Sequence, residues 1–444
     1  MTHRTARPHA LLRALPAAVL LALAVPAQAQ SLQSLFDAAK TYDATFQAAK
    51  AQFDASTAKA AQAQAGILPS VGLSAGAFWT KRDSSPGTAS SIDSQNLNLD
   101  ISHPLYRPGN RLAVEQAEQS LLVAQAQLQA AEQDLIVRTS QAYFDVLAAQ
   151  DNLTFVQAQK KAVEQQLAAA QRNFEVGSAT ITDTREAQAR FDLTTAQEIA
   201  SQNDLRVKKL ALDQLVGQAG TAPWRLPAPV ALPAVQPADM ATWVARAEAD
   251  HPSLRQASAG LQIAQLETRK AQSALGPTLD AKAQYQVARG IGSTAPFSNS
   301  WQNVGTIGVQ FNLPLYSGHG LQNRVQETVA LEDKARNDLE AARRGVVQAT
   351  RTAFFGLESG MGQVKALEAA EASSQSALDA NQLGYQVGVR INIDVLNAQS
   401  QLFQTKASLA KARYDVLVGH LRLKQASGVL QASDLAPINA LLKP

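Results

Sequence analysis

The chain contains no cysteine, and after its first thirty residues it contains no long apolar run. Without cysteine there is no disulfide, so stability must come from packing or from assembly between chains. A helix needs about 20 apolar residues to span a bilayer, and the rest of the chain has no such stretch. If this protein crosses a membrane, it must therefore do so with β-strands.

Excess charge is also missing once the N-terminus is set aside. Three arginines precede an apolar stretch at about residues 14–25, and an A-x-A cleavage pattern ends at Ala29. The pattern predicts a signal peptide over residues 1–29, because the apolar stretch is too short for the alternative, a membrane anchor. This segment holds no acids, so the formal charge of +3 belongs to it. Nothing in the neutral remainder indicates a nucleic-acid partner.

Catalytic and metal-binding patterns are absent too. The sequence has no G-x-S-x-G, no H-E-x-x-H and no phosphate-binding P-loop. We therefore expect no enzyme, no metal site and no cofactor. The histidines beyond the signal segment are scattered without ligand spacing: His103, His251, His319 and His420.

What the chain does have is an internal duplication. The letters FEVG end at Gly177, and the similar letters YQVG end at Gly388, which lies 211 residues later. Asp183 and Asp394 are separated by the same interval. A register kept over this distance indicates a structural unit used twice.

Each copy is predicted to hold a helical stretch, a β-hairpin and a pair of long helices. The helical stretches run over about 32–66 and 240–276, the second with a junction at His251-Pro252. The predicted divisions are a first repeat at 30–217 with its hairpin at about 69–104 and helix pair at about 108–217, a Pro-rich linker at 218–238, a second repeat at 239–428 with its hairpin at about 277–314 and helix pair at about 318–428, and a C-terminal tail at 429–444.

The hairpins are predicted from strict alternation of apolar and polar residues. Leu97, Leu99 and Ile101, for example, alternate with Asn and Asp side chains. Strands of about ten residues suit a tilted transmembrane strand, although a soluble hairpin on a core would show the same alternation. Aromatic residues stand near the strand ends, as in membrane strands: Trp79, Tyr106, Tyr285, Trp301 and Tyr316.

The long helices are predicted from the absence of proline and from a seven-residue repeat. No proline occurs between Pro108 and Pro223 or between Pro314 and Pro437. A helix over about 108–176 would be about 100 Å long. A coiled-coil seam is indicated by small or apolar residues at Val114, Leu121, Leu128, Leu135, Ala142, Ala149, Val156 and Val163.

Four membrane strands cannot close a barrel alone, and open strand edges are not tolerated in lipid. The chain must therefore oligomerise. Two copies would supply about eight strands and a filled lumen, whereas three would supply about twelve and leave a channel. The polar strand faces suit a wet interior and favour three copies.

The duplication, the hairpins and the two glycine turns resemble the TolC family of outer-membrane export channels over nearly all of the chain beyond the signal segment. The resemblance implies a mixed α/β membrane protein: a homotrimer whose 12-stranded transmembrane β-barrel continues as a 12-helix periplasmic α-barrel. It implies a passive exit duct for drugs, small molecules or proteins in a Gram-negative outer membrane, in contact with its lipid. Its partners would be a periplasmic adaptor and an inner-membrane pump of the RND, ABC or MFS type.

The resemblance also implies a gate at the periplasmic tip, near Gly177 and Gly388. Tyr385 and Arg390 would tie the second helical hairpin to the first near Thr182 and Asp183. The alternatives are a packed aromatic residue for Tyr385 and a solvated charge for Arg390.

Asp394 would form a ring of three carboxylates in the pore. The family often has a second acidic ring one turn later, where this chain has Asn397, so strong cation selectivity is not expected. The alternative for Asp183 and Asp394 is helix capping or compensation of the helix dipole in the first turn, and Asp183 with Glu186 fits a capping box.

Two rival functions remain at the level of sequence. A trimeric coiled-coil tether or adhesin would explain long helices and a strand anchor, but not paired hairpins with matched turns. A general porin would explain the strands but not the long helices. Within the duct class, drug efflux and type I protein secretion are not separated by this sequence.

Overall fold

A computed structural model describes residues 30–82, 90–227, 230–291 and 300–443. The predicted signal peptide and most of both predicted strand-connecting loops lie outside these residues. The described helices are α1 Leu32–Tyr42, α2 Ala44–Gln64, α3 Pro108–Glu175, α4 Ile181–Val216, α5 Met240–Asp250, α6 Pro252–Ser273, α7 Gly320–Gln386, α8 Asn392–Ala426 and α9 Leu435–Asn439. The described strands are β1 Ser70–Arg82, β2 Ser90–Tyr106, β3 Thr278–Ile291 and β4 Trp301–Asn312.

The four strands form one antiparallel sheet in the order β1-β2-β3-β4. Leu73 pairs with Leu99, Leu99 with Tyr285, and Tyr285 with Gly305. The alternation of each strand is thus matched across the sheet, which has one largely apolar face and one polar face. Side chains of the apolar face are exposed in the single chain; Ile307 is 88% exposed.

The strands are longer than the predicted ten residues, at 13, 17, 14 and 12 residues. The prediction was wrong because it counted only the segments with regular side-chain alternation. Backbone pairing continues beyond them, and β2 runs on past Pro104 with a bulge before Tyr106.

Helices continue the strands in the same lateral order. Helix α2 leads towards β1, β2 into α3, α6 towards β3, and β4 towards α7. Neighbours in this row pack together, α2 on α3, α3 on α6, and α6 on α7. Farther from the sheet, α4 and α8 pack along α3 and α7. With 68 and 67 residues, α3 and α7 are each about 100 Å long at 1.5 Å per residue.

The predicted seam along α3 is confirmed, since none of its eight heptad positions is exposed. The largest apolar cluster lies near the middle of α3, where Leu135, Ile136, Tyr143 and Phe144 are almost fully buried. The single hydroxyl proton of Tyr143 lies between the carbonyl oxygens of Gln30 and Trp224, which are 3.3 and 3.1 Å from the hydroxyl oxygen. The linker and the C-terminal tail therefore lie against the helices at this level, and Arg225 pairs with Lys443 through two backbone hydrogen bonds.

The predicted single helical stretch over 32–66 is wrong, because it is broken at Asp43. The Asp43 carboxylate accepts a hydrogen bond of 2.7 Å from the Phe46 amide and so caps α2. It also receives two hydrogen bonds from the Arg138 guanidinium on α3. The junction predicted at His251-Pro252 is confirmed, and there the His251 ring caps α6.

Candidate gate at the paired helical turns

The two glycine turns have the same backbone geometry. Gly177 and Gly388 have φ angles of 79° and 80°, a left-handed conformation that glycine adopts without steric cost. In both turns the amide of the glycine donates a hydrogen bond to the carbonyl oxygen three residues back, and the next amide donates to the carbonyl oxygen five residues back. The duplicated letters therefore encode a duplicated helix end, and α3–α4 and α7–α8 form two matching helical hairpins.

The hairpins differ at the first turn of their second helix. Thr180 and Asp183 form a reciprocal capping box: the Thr180 hydroxyl accepts from the Asp183 amide, and the Asp183 carboxylate accepts from the Thr180 amide at 3.0 Å. The predicted box, in which Asp183 caps the helix and Glu186 is its partner, is therefore wrong, because Thr180 is the cap and Asp183 is the partner. The box begins at Thr180 because that residue has the extended backbone of a cap.

The Asp394 carboxylate does not take part in a capping box. The N-cap of α8 is Ile391, which has no side-chain oxygen, so the Asp394 carboxylate is not used in a capping box. Its Oδ2 lies 3.7 Å from Nη1 of Arg390, a long ion pair on the surface. Asp183 and Asp394 occupy equivalent positions, but only the Asp183 carboxylate caps its helix. The Asp394 carboxylate is available for other contacts.

Side-chain hydrogen bonds join the two hairpins near the turns. Asn173 on α3 donates to the Tyr385 hydroxyl on α7 at 3.2 Å. Arg190 on α4 donates to Oδ1 of Asn397 on α8 at 2.7 Å. Another contact is made by Asn392 at the start of α8, which bonds both to Gln166 and to the backbone of α4.

The sequence-predicted residues therefore divide into two groups. Tyr385 contacts the first hairpin through Asn173 rather than through the predicted Thr182 or Asp183. Asn397 also contacts the first hairpin, through Arg190, although no partner was predicted for it. Arg390 lies over Gly384, where an added β-carbon would be 2.7 Å from its Cγ, and it points to Asp394 of its own hairpin. Within the described chain Arg390 makes no hydrogen bond to Thr182 or Asp183, and Thr182 is exposed. Their predicted roles in a gate stay predictions.

Sequence reasoning missed the partners Gln166, Asn173, Arg190 and Asn392. No motif includes them, since each acts on a helix about 200 residues away. A signal was nevertheless present in the comparison of the two copies. Asn392 stands where the first copy has Ile181, so a polar residue occupies a position that the repeated unit fills with an apolar one.

Beneath these contacts lies a small apolar cluster that joins α3, α4 and α8. Its buried members include Val163, Ala187 and Leu396, and Phe191 packs against them. Such packing holds the hairpins together without direction, whereas the hydrogen bonds above it fix their relative position.

The described residues contain no group of three or more His, Cys, Asp or Glu placed to hold a metal ion. In the same part of the chain, no helix has the length and apolar character required for a membrane span.

Comparison with known proteins supports one family. The model of the family "outer membrane efflux protein" matches residues 35–218 and 243–429. Outer membrane protein TolC of Vibrio cholerae is 32% identical over 416 residues, covering 94% of each chain. Alkaline protease secretion protein AprF of Pseudomonas aeruginosa is 28% identical, covering 95% of this chain and 89% of that protein.

Solved structures show the same fold. The outer membrane protein VceC of Vibrio cholerae superposes with a TM-score of 0.77 at 20% identity, over 89% of this chain and 96% of that one. The open state of the MtrE outer membrane channel of Neisseria gonorrhoeae gives a TM-score of 0.71 at 21% identity, over 90% of each chain. With its duplicated hairpins, its mixed α/β fold and a sequence match over 94% of its length, this chain belongs to the outer membrane efflux protein family.

Proposed function

We propose that this protein is a passive exit duct of the outer membrane, serving efflux or type I secretion through a gated periplasmic tunnel. The observation that carries the proposal is the pair of matching helical turns at the ends of α3 and α7, held together by direct contacts. Turns of this kind at the far end of helices about 100 Å long place an adjustable constriction far from the sheet.

The duct is a homotrimer. In the described sheet β1 and β4 pair on one side only, and the edge amides and carbonyls of a membrane sheet must be paired. Edge pairing between β4 of one copy and β1 of the next satisfies them and closes a sheet of about twelve strands around a channel. The apolar face of the sheet then meets outer-membrane lipid and the polar face meets water.

Energy and substrate choice come from partners, a periplasmic adaptor and an inner-membrane pump of the RND, ABC or MFS type. The relatives support both kinds of export, since the matching family is that of outer membrane efflux proteins and one relative is an alkaline protease secretion protein.

The turns form the resting gate. Tyr385 and Arg390 hold the second hairpin, Arg390 reaching Thr182 or Asp183 of a neighbouring copy rather than of its own. The geometry supports this, because the Arg390 side chain is more than half exposed and its only described partner is 3.7 Å away. Asp394 contributes a ring of three carboxylates, while Asn397 contributes no charge at the next turn.

Conductance in planar bilayers tests the proposal. Purified trimers are expected to give discrete steps of low conductance, and combining Tyr385→Phe with Arg390→Ala is expected to raise it. Arg344→Ala is the matched control, since Arg344 is an exposed arginine paired with Glu340 on its own helix α7. Folded trimers without any conductance would favour the tether, whereas a wide pore indifferent to the tip variants would favour a porin.

A further inference from the structure

We propose that a groove between α3, α6 and α7 binds a neutral, drug-sized molecule that has an apolar body and an N–H or O–H group. The groove has a volume of about 570 Å³, and Ala249 at the end of α5 also lines it. Volumes of about 300–1,000 Å³, with largely apolar walls and a few polar groups, are typical of small-molecule sites. The groove is formed by a single subunit, so the site does not depend on whether the trimer conducts.

Most side chains that line the groove are apolar or polar without charge. Its apolar residues are Leu122, Ala126, Ala249, Leu254, Ala259 and Leu339. Leu122 is 50% exposed in the single chain, so an apolar molecule in the groove would remove its side chain from water. Burial of this apolar surface provides a driving force for binding.

The charged residues of the groove are each paired with an opposite charge outside it. The pairs are Arg255 with Asp250, Arg343 with Glu248 and Glu340 with Arg344, at distances of 2.9, 2.8 and 2.8 Å. A charged ligand would have to compete with these pairs and lose its own hydration, whereas a neutral ligand leaves them intact. The groove therefore favours a neutral molecule.

A polar group of the groove lacks a hydrogen-bond partner. Oε1 of Gln119 is shielded from solvent and has no partner among the described residues. An amide oxygen in this state is costly until it accepts a hydrogen bond. Because the terminal torsion of glutamine is broad, a small rotation brings this oxygen to a donor in the groove. The ligand therefore carries an N–H or O–H group.

The other repeat does not keep the uncharged lining of the groove. Positions on α3 and α7 are 211 residues apart, and those on α2 and α6 are 208 apart, the interval between the helix junctions at Asp43 and His251. By these intervals Leu122 corresponds to Asp333, Gln125 to Arg336, Ser258 to Lys50 and Gln262 to Asp54. Both repeats nevertheless form the same succession of helices and strands. An uncharged groove is therefore not a requirement of the repeated fold.

The groove lies well away from the sheet. Ser258 is about 22 Å from the end of α6 at Ser273, at 1.5 Å per residue, and β3 begins beyond that end at Thr278. A lipid of the proposed bilayer would surround the sheet rather than reach this depth. The occupant of the groove therefore enters from water.

Protection of a single thiol tests the site. Because the chain has no cysteine, Ser258→Cys places one thiol per subunit in the groove. The probe is N-phenyl-α-naphthylamine, a neutral molecule with an N–H between two aromatic groups. It should slow modification of this thiol by a small maleimide about ten-fold at a concentration of about ten times its Kd, since only unoccupied grooves react. The measurement uses assembled trimers in nanodiscs.

Ser120→Cys is the matched control, because Ser120 is exposed on α3 and does not line the groove. Its modification should proceed at the same rate with and without the probe. Anilinonaphthalene sulfonate, which adds a sulfonate to the same ring systems, tests the requirement for neutrality. Its Kd should be about ten-fold higher than that of the neutral probe, because its charge must be desolvated beside pairs that are already satisfied.

Two variants, each combined with Ser258→Cys, test individual contacts in the groove. Leu122→Asp introduces the residue type of the equivalent Asp333 at a half-exposed position and should raise the Kd of the neutral probe about ten-fold. Gln119→Leu removes the acceptor and should raise it about five-fold, the factor for the loss of about one net hydrogen bond. Should either variant fail to assemble, the two probes on Ser258→Cys alone decide the matter.

The results that would overturn the site are distinct from those that would overturn the duct. Folded Ser258→Cys trimers that the neutral probe does not protect, or that both probes protect equally, would refute the proposed ligand class. Equal protection of Ser120→Cys would show that the probe does not select the groove and would also refute it. The duct is judged by conductance, which none of these binding measurements uses.

Discussion

The backbone of Gly428 passes directly against His251, so that a β-carbon on Gly428 would lie 2.5 Å from the His251 Cα. This contact joins the end of α8 to the junction between α5 and α6. Gly217, which is 211 residues earlier, packs in the same manner against the Tyr42 ring beside the junction of α1 and α2. In both copies, therefore, a glycine with a left-handed backbone packs against the junction between two helices.

Gly428→Ala is the first prediction. The φ angle of 74° strains any L-residue by about 1–2 kcal/mol, and the clash with the His251 backbone adds about 1–3 kcal/mol. The apparent melting temperature of the detergent-solubilised protein should fall. Gly220→Ala is the control, since Gly220 has a φ of 76° but nothing within 4 Å of an added β-carbon. Equal losses from both variants would mean that the His251 contact is unimportant.

Asp43 and Arg138 give the second prediction. Hydrogen bonds from the Arg138 guanidinium, more than any other cause, hold the pKa of Asp43 below its ordinary value of 3.8. Asp43→Asn keeps a capping oxygen but loses the ion pair, whereas Asp43→Ala loses both. We expect losses of about 1–2 and about 2–4 kcal/mol in the free energy of unfolding, followed by denaturant titration. Asp54→Asn, exposed on the same helix, should change little; the idea fails if the three variants are alike.

The third prediction concerns acid stability at Glu267. Gln116 at 2.9 Å, and then Arg324 and Lys270, lower the pKa of Glu267 from 4.5 to about 2. Because the folded pKa is lowered, the stabilisation is complete above about pH 4.5 and is lost as the pH falls towards 2. Glu267→Gln should therefore lower stability at pH 7 by at most about 3 kcal/mol, and the gap to wild type should close in acid.

Melting curves of both proteins between pH 7 and pH 3 measure this gap. Glu340→Gln, at an exposed carboxylate on α7, provides the reference. A gap between wild type and Glu267→Gln that stays constant down to pH 3 would contradict the assigned charge contacts.

The fourth prediction separates the two equivalent aspartates. Asp183→Ala removes the capping box and should cost about 1 kcal/mol of stability with little change in cation block. Asp394→Ala removes a carboxylate that caps nothing, so it should leave stability nearly unchanged and reduce block by polyvalent cations in single-channel recordings. Block that depends on Asp183 instead would reverse the assignment.

Periodicity and proline placement predicted the helices and strands because those signals are local. The α3 seam follows from a repeat of seven residues, and the strands follow from alternation that the sheet keeps in register. The break at Asp43 was not predicted, because its signal is not local. No proline or glycine marks it, and the residue that holds its carboxylate, Arg138, lies 95 positions away.

At the tip, too, the sequence predicted local backbone features but not contacts between residues far apart in the chain. Gly177 and Gly388 could be predicted as turns, since each acts on its own backbone. The partners of Tyr385 and Asn397 could not, because Asn173 and Arg190 approach them only after four long helices have packed. Family resemblance identified the region, but it did not identify the residues that make these contacts.

The order of the sheet has a consequence for cells that hold two versions of this protein. In the proposed trimer each subunit pairs β1 with one neighbour and β4 with the other, so that each junction between subunits is formed by two different molecules; within one chain β1 and β4 are the edges of the sheet. A subunit with a defective edge strand would leave unpaired backbone groups in the barrel that the intact subunits cannot pair with. Damage to either border of the sheet should therefore be inherited as a dominant defect, because one faulty member disables the whole ring.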